Sequence, residues 1–273
     1  MTKKEKNGWE LHGITHSSAS SVNNWINAPC NYIAKKLLGK YPEGSPAMHR
    51  GIVVESAVAN VIYYDWSFEL ASKQAFQQYY RKCVTWPDKD EVEKQAEVIL
   101  PMIELALEYL LDLGKPAFAE DGQIKTELLC NGDGWQLPVI GYLDFYYPDL
   151  NLIVDLKTTL RMPTKDKELD DDHPAPHILS PEHNRQAVIY YQSFDRKYEV
   201  EFLYVTPKKY GIGKPHDVDE TLAEIKAVLN RQERLLRAFP DANELAKVIP
   251  VNLSSYYWSG EPSEKVRKEV FGI

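Results

Sequence analysis

The segment that decides the fold reads Gly141-Tyr-Leu-Asp-Phe-Tyr-Tyr-Pro-Asp-Leu-Asn-Leu-Ile-Val-Asp-Leu-Lys157. Two runs rich in aromatic and β-branched residues flank the turn-forming residues 148–151, which is the pattern of a β-hairpin. Because side chains alternate between the two faces of a strand, Asp155 and Lys157 share one face of the second strand. Charges in so apolar a strand are costly unless a partner or a ligand compensates them.

The register of this hairpin decides whether its two aspartates meet. With an even-numbered turn, Tyr147 pairs with Leu152 and Asp144 lies opposite Asp155. Directly opposed side chains have Cβ atoms about 4.5–5.5 Å apart, and like charges so placed destabilise a sheet. A divalent cation between the two carboxylates would resolve this repulsion. The alternative is a hairpin whose aspartates splay into solvent.

The composition is that of an ordinary globular protein. The 273 residues are 44% apolar and 26% charged, with a net charge of −8, and a chain of this length can bury a large core. The acidic balance argues against a general nucleic-acid coat protein, since phosphate binding needs basic surface. It is compatible with an enzyme that has a local basic track and an acidic metal site.

Neither a membrane anchor nor a cysteine-based metal site is predicted. No apolar run approaches the roughly 20 residues of a membrane span, and the first residues lack the apolar segment of a signal peptide. Cys30, Cys83 and Cys130 are isolated, which favours a reducing compartment and argues against zinc or iron–sulfur binding. We therefore expect a cytoplasmic protein of a bacterial or phage-infected cell.

Helical and strand patterns alternate along the chain, which predicts a mixed α/β (α+β) fold. Residues 1–12 are polar and predict a flexible tail, and 13–273 contain no clear linker or repeat and predict one domain. Its core would span about 47–206, with a helical C-terminal appendage over 215–273. A helix is predicted from the serine-rich segment after His16 to about residue 38, and a long one over 87–114 with a kink at Pro101. Strands are predicted at 123–130, 137–147, 152–158 and 200–206.

Two further helices carry polar residues that suggest a site. The helix over 47–64 is apolar nearly all round and should be buried, so Glu55 in its middle is anomalous. Glu55 either lies at a solvent-exposed edge of the helix or pairs with Arg50, or it points into a site and binds metal. In the helix that begins near Pro181, Gln186 and Tyr190 are four residues apart and share a face.

Together these residues resemble the PD-(D/E)xK nuclease superfamily. Its pattern is an acidic residue, a turn, and then acid–any–lysine on the next strand, here Asp144 followed by Asp155-Leu156-Lys157. The acid–any–lysine motif is common by chance, and the flanking motifs make the resemblance specific. They are typical of the RecB-like branch, which includes CRISPR-associated and lambda-exonuclease-like relatives. In chain order they are Ser18-Ala-Ser20 with Ala28-Pro-Cys-Asn-Tyr32, Gly51-Ile-Val-Val-Glu55, Gly141-Tyr-Leu-Asp144 and Gln186-Ala-Val-Ile-Tyr190.

Two departures from the pattern refine the expectation. Glu55 stands where helicase-linked nucleases usually carry histidine, which favours the stand-alone exonucleases of the branch. Cys30 matches the first cluster cysteine of the iron–sulfur relatives, but no cysteine follows Cys130. We therefore expect no iron–sulfur cluster.

The resemblance implies a restriction-endonuclease-like core, a central mixed β-sheet flanked by helices, with extra N- and C-terminal helices. It implies one or two Mg²⁺ or Mn²⁺ ions held by oxygen ligands, namely Glu55, Asp144, Asp155 and the Leu156 carbonyl. Such ions orient an attacking water and neutralise the phosphate. The implied catalytic residues are Asp144, Asp155, Lys157, Gln186 and Tyr190. Candidate DNA contacts are Ser18, Ser20, Lys35, Lys36, Arg50, Arg161, Lys165, Arg185, Lys208 and Lys209.

The sequence therefore predicts a metal-dependent DNA nuclease, foremost an exonuclease of recombination, repair or phage DNA metabolism. An endonuclease of the same fold and a catalytically silent DNA-binding module remain alternatives, although a silent copy is expected to lose one of Asp144, Asp155 or Lys157. A metalloenzyme that does not act on nucleic acid would need histidine ligands at suitable spacing, which the sequence lacks. Expected partners are DNA, a single-strand annealing or recombination protein, and further copies of the chain in a homo-oligomer such as a toroidal trimer.

Overall fold

The computed structural model describes residues 6–41, 44–117, 123–128, 137–165, 175–252, 258 and 261–272. Its α-helices are α1 (Gly8–Leu11), α2 (Ala19–Asn27), α3 (Pro29–Tyr32), which continues as a π-helix over Ile33–Leu37, α4 (Pro46–Tyr64), α5 (Phe68–Lys82), α6 (Lys89–Ala96), α7 (Ile99–Asp112), α8 (Pro181–Ser193), α9 (Val218–Ala238), α10 (Ala242–Val248) and α11 (Glu261–Phe271). Its strands are β1 (Ser17–Ser18), β2 (Lys125–Leu128), β3 (Val139–Tyr142), β4 (Phe145–Tyr147), β5 (Leu152–Thr158), β6 (Glu199–Val205) and β7 (Tyr210–Gly213). The fold is therefore mixed α/β, as predicted.

Two compact units make up the chain. The first comprises 1–43, 127–141 and 217–273, and the second comprises 44–126 and 142–216. The prediction of a single domain over 13–273 stays a prediction.

The second unit is built on a four-stranded mixed sheet in the order β4-β5-β6-β7. β4 and β5 are antiparallel, β5 and β6 parallel, and β6 and β7 antiparallel. Tyr147 pairs with Leu152 and Phe145 with Val154, so the even-numbered register predicted for the hairpin is confirmed. The turn consists of a 3₁₀ helix over Pro148–Leu150 and Asn151 in the left-handed region at φ 50°.

The predicted strand over 137–147 is interrupted at Leu143 and Asp144. β3 ends at Tyr142 and β4 begins at Phe145. Between them the Asp144 carboxylate accepts a hydrogen bond from Leu156 N at 2.9 Å. The β4–β5 ladder stops here, and the Asp144 side chain accepts the β5 hydrogen bond that a backbone carbonyl would otherwise accept. The predicted strand can therefore break at Asp144 without leaving this donor unsatisfied.

The core of this unit lies between helices and one face of the sheet. Five apolar residues of α4 pack with α5, α7 and the sheet, namely Val53, Val54, Ala57, Val58 and Ile62. From β5 the same core receives Leu152, Val154 and Leu156. The expectation that α4 is buried all round was wrong, because Met48 and Ile52 are exposed on its other side. α4 is instead amphipathic, and Glu55 is half-buried at the edge of its apolar stripe.

Two helices that were predicted to be continuous are interrupted next to a proline. The helix predicted over 87–114 is broken into α6 and α7 before Pro101, which occupies the first turn of α7. A proline is tolerated there because its missing N–H has no partner in the first turn. Likewise α2 ends at Asn27, because the next residue, Ala28, precedes Pro29 and avoids the α region; its φ is −153° and its ψ is 71°. α5 and β7 were not predicted.

The first unit includes residues that were predicted to form a flexible tail. That prediction was wrong for residues 8–11, which form α1 with a capping box between Asn7 and Glu10. Trp9 is only 2% exposed, and Gly8 N donates to Glu233 Oε1 on α9 at 3.0 Å. A Cβ on Gly8 would lie 2.3 Å from the Glu233 carbonyl oxygen, so only glycine permits this approach. Residues 1–5 lie outside the described part of the chain.

A second, three-stranded sheet has the order β1-β3-β2, and its strands β1 and β3 are parallel. Cys30 is buried and its Sγ accepts a hydrogen bond from Trp258 Nε1 at 3.2 Å. Cys130 falls outside the described ranges. Within those ranges, no helix combines the length and apolar character that crossing a membrane requires.

Candidate active site

Three carboxylates in the second unit come from three different elements. Glu55 belongs to α4, Asp144 to the break between β3 and β4, and Asp155 to the middle of β5. Gly51 lies one helical turn before Glu55. A Cβ added to Gly51 would lie 3.2 Å from Thr158 Oγ1 at the end of β5, so the glycine allows α4 to pack closely on this strand and brings Glu55 to it.

Asp144 is fixed through both of its carboxylate oxygens. Oδ2 accepts the hydrogen bond from Leu156 N, and Oδ1 accepts one from Gln123 Nε2 at 3.3 Å. The same Gln123 nitrogen lies 3.4 Å from Glu55 Oε1. One donor group thus reaches two carboxylates at once. Tyr63 Oη donates to the Asp144 carbonyl oxygen at 2.8 Å and holds the backbone of the strand break against α4.

Asp155 is the most buried of the three carboxylates, at 1% exposure. Its Oδ2 accepts a hydrogen bond from Gln186 Nε2 at 2.9 Å. That nitrogen also donates to Tyr190 Oη at 2.7 Å, and Tyr190 Oη donates to the Tyr142 carbonyl oxygen at 2.9 Å. Gln186 and Tyr190 therefore share a face of α8 as predicted, and they tie Asp155 to the end of β3.

Lys157 makes an ion pair with Asp155 Oδ1. The two residues lie on the same face of β5, as the alternation of the strand predicts. The Lys157 side chain is 24% exposed, and its Nζ lies 5.2 Å from the centroid of the Phe202 ring on β6.

The electrostatics of the site favour an added positive charge. Burial, and then repulsion from Asp155, raise the pKa of Glu55, and the same two causes raise the pKa of Asp144 well above its ordinary value. Burial lowers the pKa of Lys157, but Asp155, Asp144 and Glu55 outweigh this effect and the pKa is raised. Three carboxylates against one lysine leave excess negative charge, which a divalent cation would compensate.

The donor atoms at the site fit a hard cation such as Mg²⁺ or Mn²⁺. They are carboxylate oxygens of Glu55, Asp144 and Asp155, the ligand type that these ions prefer. Asp155 Oδ1 is buried, and in the described part of the chain only the Lys157 ion pair balances it. Among the described residues no three His, Cys, Asp or Glu side chains lie together as a ligand cluster, and Gln123 and Lys157 contact the carboxylates. A bound cation would take over these two contacts.

The side chains of two predicted DNA contacts, Arg50 and Arg185, are buried. Arg50 is 4% exposed and donates to Gln95 Oε1 and to the Thr158 carbonyl oxygen, so it ties α4 to α6 and β5. It does not pair with Glu55 among the described contacts. Arg185 is 6% exposed, which leaves almost none of its surface for DNA.

The other predicted contacts are accessible to different degrees. Arg161 and Lys208 are exposed on the second unit. Ser18 and Ser20 belong to the first unit, where Ser18 Oγ caps α2 by accepting from Ser21 N at 3.2 Å and Ser20 is exposed. Contact of any of these residues with DNA stays a prediction.

Sequence reasoning missed Gln123, Tyr63 and the pair His183–Tyr204. Tyr63 follows Glu55 by two helical turns, and that spacing on α4 was an available signal. His183 lies one turn before Gln186 on α8, and its Nδ1 shares a hydrogen bond of 2.7 Å with Tyr204 Oη. For Gln123 the sequence carries no signal, because its approach to Asp144 depends on how a distant segment packs.

Comparisons with known proteins bear on the fold alone. No protein-family model matches the chain, and no curated protein matches its sequence. Among solved structures the chain is similar to a "putative exonuclease" from Eubacterium rectale, with 16% identity, a TM-score of 0.51 and 88% of each chain covered. It also matches the structure of SSO0001 with 17% identity over 74% of this chain and 84% of that chain, but a TM-score of 0.33 carries no argument. The mixed α/β architecture is thus shared with the first of these proteins.

Proposed function

We propose that the chain is a metal-dependent deoxyribonuclease of the PD-(D/E)xK type, close to the RecB-like branch, and that it acts as an exonuclease. One observation carries the proposal. Asp144 accepts the N–H of Leu156, the residue between Asp155 and Lys157, so the two acids and the lysine of the motif meet at one short stretch of β5. The Eubacterium rectale protein, which has a similar fold, is called an exonuclease, and this supports the choice of an exonuclease.

The residues of the site would have different roles in phosphodiester hydrolysis. Glu55, Asp144, Asp155 and the Leu156 carbonyl would hold one or two Mg²⁺ or Mn²⁺ ions, which supply a polarised water and charge neutralisation at the phosphate. Lys157, released from its ion pair, would hold or take up a proton of the attacking water or stabilise its charge.

Gln186 and Tyr190 would position the reacting groups through the hydrogen bonds that now hold Asp155. Arg161 and Lys208 are the exposed candidates of the second unit for contact with the DNA backbone.

End-labelled linear DNA and closed circular DNA, incubated with the chain and MgCl₂, test the proposal. We expect loss of the linear substrate and survival of the circle. Lys157→Ala should slow degradation by about 10²–10⁴-fold, the range typical of a lost proton-transfer group. Lys115→Ala is the matched control, since Lys115 pairs only with exposed Asp65 in the described contacts.

The outcomes separate the parts of the proposal. Equal degradation by the Lys157→Ala variant would refute the assigned mechanism. Cleavage of the closed circle would refute exonuclease action and leave an endonuclease of the same chemistry.

A further inference from the structure

Gln123 contacts two carboxylates of the candidate active site with a single atom. Its Nε2 lies 3.3 Å from Asp144 Oδ1 and 3.4 Å from Glu55 Oε1. The two acids belong to different elements, the break between β3 and β4 and the helix α4. The Gln123 nitrogen therefore occupies a position where negative charge converges from two directions, and a cation is favoured at such a position.

The backbone around this contact is fixed. Ile124, the residue after Gln123, accepts a hydrogen bond at its carbonyl oxygen from Leu143 N at 2.9 Å. Leu143 directly precedes Asp144, whose own carbonyl oxygen accepts from Tyr63 Oη. Gln123 thus reaches the carboxylates from an anchored segment. Its side chain is exposed, which gives the amide group room to turn.

A glutamine amide can serve two carboxylates in either of two orientations. Its NH₂ group donates hydrogen bonds, whereas its carbonyl oxygen is a ligand for hard cations. A half-turn about the last side-chain bond exchanges the two atoms, so Oε1 of Gln123 would take the place that Nε2 now holds. The two hydrogen bonds that Gln123 makes within the described ranges both use Nε2, and this turn therefore breaks no bond of Oε1 there.

The observed distances suit this exchange. Two ligand oxygens at adjacent corners of an octahedron lie about 3.0 Å apart when each is about 2.1 Å from the ion. The Gln123 nitrogen is 3.3 and 3.4 Å from the two carboxylate oxygens, only slightly more than this spacing. For an ion held by Asp144 and Glu55, the amide of Gln123 is therefore close to the distance of a further ligand.

The neutral charge of the amide is also favourable. Burial and then repulsion from Asp155 already raise the pKa of both Glu55 and Asp144. A fourth carboxylate in place of Gln123 would add to this repulsion whenever no ion is bound. A glutamine supplies an oxygen without added charge, and its NH₂ group stabilises the carboxylates until an ion binds.

We propose that Gln123 is a further ligand of the bound Mg²⁺ or Mn²⁺ through Oε1, and that its amide group turns over when the ion binds. The inference rests on the proposed metal-dependent function and adds a neutral ligand to the set of carboxylates. The alternative role for Gln123 is that of a competitor, which only donates hydrogen bonds to the carboxylates and is displaced by the ion. The two roles predict opposite effects, because loss of a ligand weakens metal binding and loss of a competitor tightens it.

Calorimetric titration of the full chain with MnCl₂ distinguishes these roles. Gln123→Leu removes both amide atoms and should weaken Mn²⁺ binding at least tenfold, since even partners that only orient a metal ligand contribute about 10–100-fold to affinity. Gln123→Glu keeps a ligand oxygen and lacks the NH₂ donor. It should bind Mn²⁺ at least as tightly as the wild type and melt at a lower temperature in EDTA. Gln77→Leu, at an exposed position on α5, is the matched control and should bind like the wild type.

The two Gln123 variants test the inference independently. Mn²⁺ binding by Gln123→Leu that is as tight as that of the wild type, or tighter, would overturn it. Weaker binding by Gln123→Glu than by the wild type would also overturn it, because the NH₂ group and not the oxygen would then be the important part of the amide. Thermal unfolding in EDTA shows whether each variant folds, and Gln123→Glu keeps the test decisive if the leucine perturbs folding.

Asp144→Asn and the digestion of linear DNA separate this inference from the proposed function. A wild-type chain whose Mn²⁺ binding does not depend on Asp144 would overturn both. Mn²⁺ binding that depends on Asp144 but not on Gln123 would overturn the inference and leave the proposed function intact. Mn²⁺ binding that depends on both residues, in a chain that degrades no DNA, would support Gln123 as a ligand and overturn the proposed function.

Discussion

Leu156 donates its backbone N–H to Asp144 Oδ2 at 2.9 Å, and this bond joins the break between β3 and β4 to the middle of β5. The bond fixes the first acid against the strand that carries the second acid and the lysine. It does so at the cost of crowding buried negative charge, since Asp144 then lies close to Asp155 and Glu55.

Asp144→Asn should stabilise the chain in the presence of EDTA, because it removes a buried charge that is repelled by Asp155 and Glu55. We expect a gain of about 0.5–2 kcal/mol in the free energy of unfolding, as is common when a functional constraint is relieved, and a loss of DNA degradation. Thermal unfolding in EDTA measures the gain. Asp149→Asn, at an exposed position in the turn of the same hairpin, is the control. A variant less stable than the wild type would contradict the electrostatic description of the site.

The stability of the chain in EDTA should decrease as the pH rises above the ordinary pKa range of carboxyl groups. Glu55 and Asp144 have pKa values raised above 4.5 and 3.8 in the folded chain, first by burial. The folded state therefore retains protons that the unfolded state releases, and the stabilisation present at low pH is lost as the pH rises through the folded-state pKa values.

MgCl₂ should reverse this trend, because a cation competes with these protons and binds only the folded site. Melting temperatures measured between pH 4 and 9, with EDTA and with MgCl₂, give the Mg²⁺-induced shift in melting temperature at each pH. An Mg²⁺-induced shift that is equal at every pH would count against Glu55 and Asp144 as ligands.

Gly51→Val should move α4 away from β5 and with it Glu55. The first added carbon already lies 3.2 Å from Thr158 Oγ1, and the branched side chain adds overpacking of about 1–3 kcal/mol. We expect the Mg²⁺-induced rise in melting temperature to shrink, while Gly51→Ala has a smaller effect. Thr158→Ala in the same chain removes the contacted oxygen and should restore part of the shift. If the valine variant responds to Mg²⁺ like the wild type, the close approach does not position Glu55.

Trp9→Ala should destabilise the chain by about 3–5 kcal/mol, the cost of removing a large buried aromatic side chain. Chemical denaturation followed by circular dichroism measures the change. Leu11→Ala on the same short helix is the control, since Leu11 is exposed and such substitutions usually change stability by less than about 0.5 kcal/mol. Equal, small effects of both would show that residues 8–11 do not pack as described.

Local patterns explain which parts of the fold and site could be predicted. The hairpin register followed from turn length, and the shared face of Gln186 and Tyr190 followed from helical spacing. Both depend on neighbours in sequence.

The errors at the candidate site arose where distant segments decide the outcome. From the sequence Arg50 is expected to be an exposed cation that is free to bind DNA. In the structure its guanidinium donates hydrogen bonds to Gln95 and Thr158. Nothing local indicates that Gln123 would reach Asp144, or that the Asp144 side chain would replace a ladder bond and interrupt its own strand. Long-range packing of this kind leaves no periodicity to detect.

The parallel pairing of β5 with β6 also sets the order in which the site can appear during synthesis. A parallel pair needs a crossover, here through α8, so β6 leaves the ribosome after both β5 and that helix. Until then β5 lacks Phe202 and Tyr204, the neighbours of Asp155 and Lys157. A nascent chain that ends before residue 199 therefore carries all three carboxylates without the strand that completes their surroundings, and competence to bind a cation should arise only once β6 has been made.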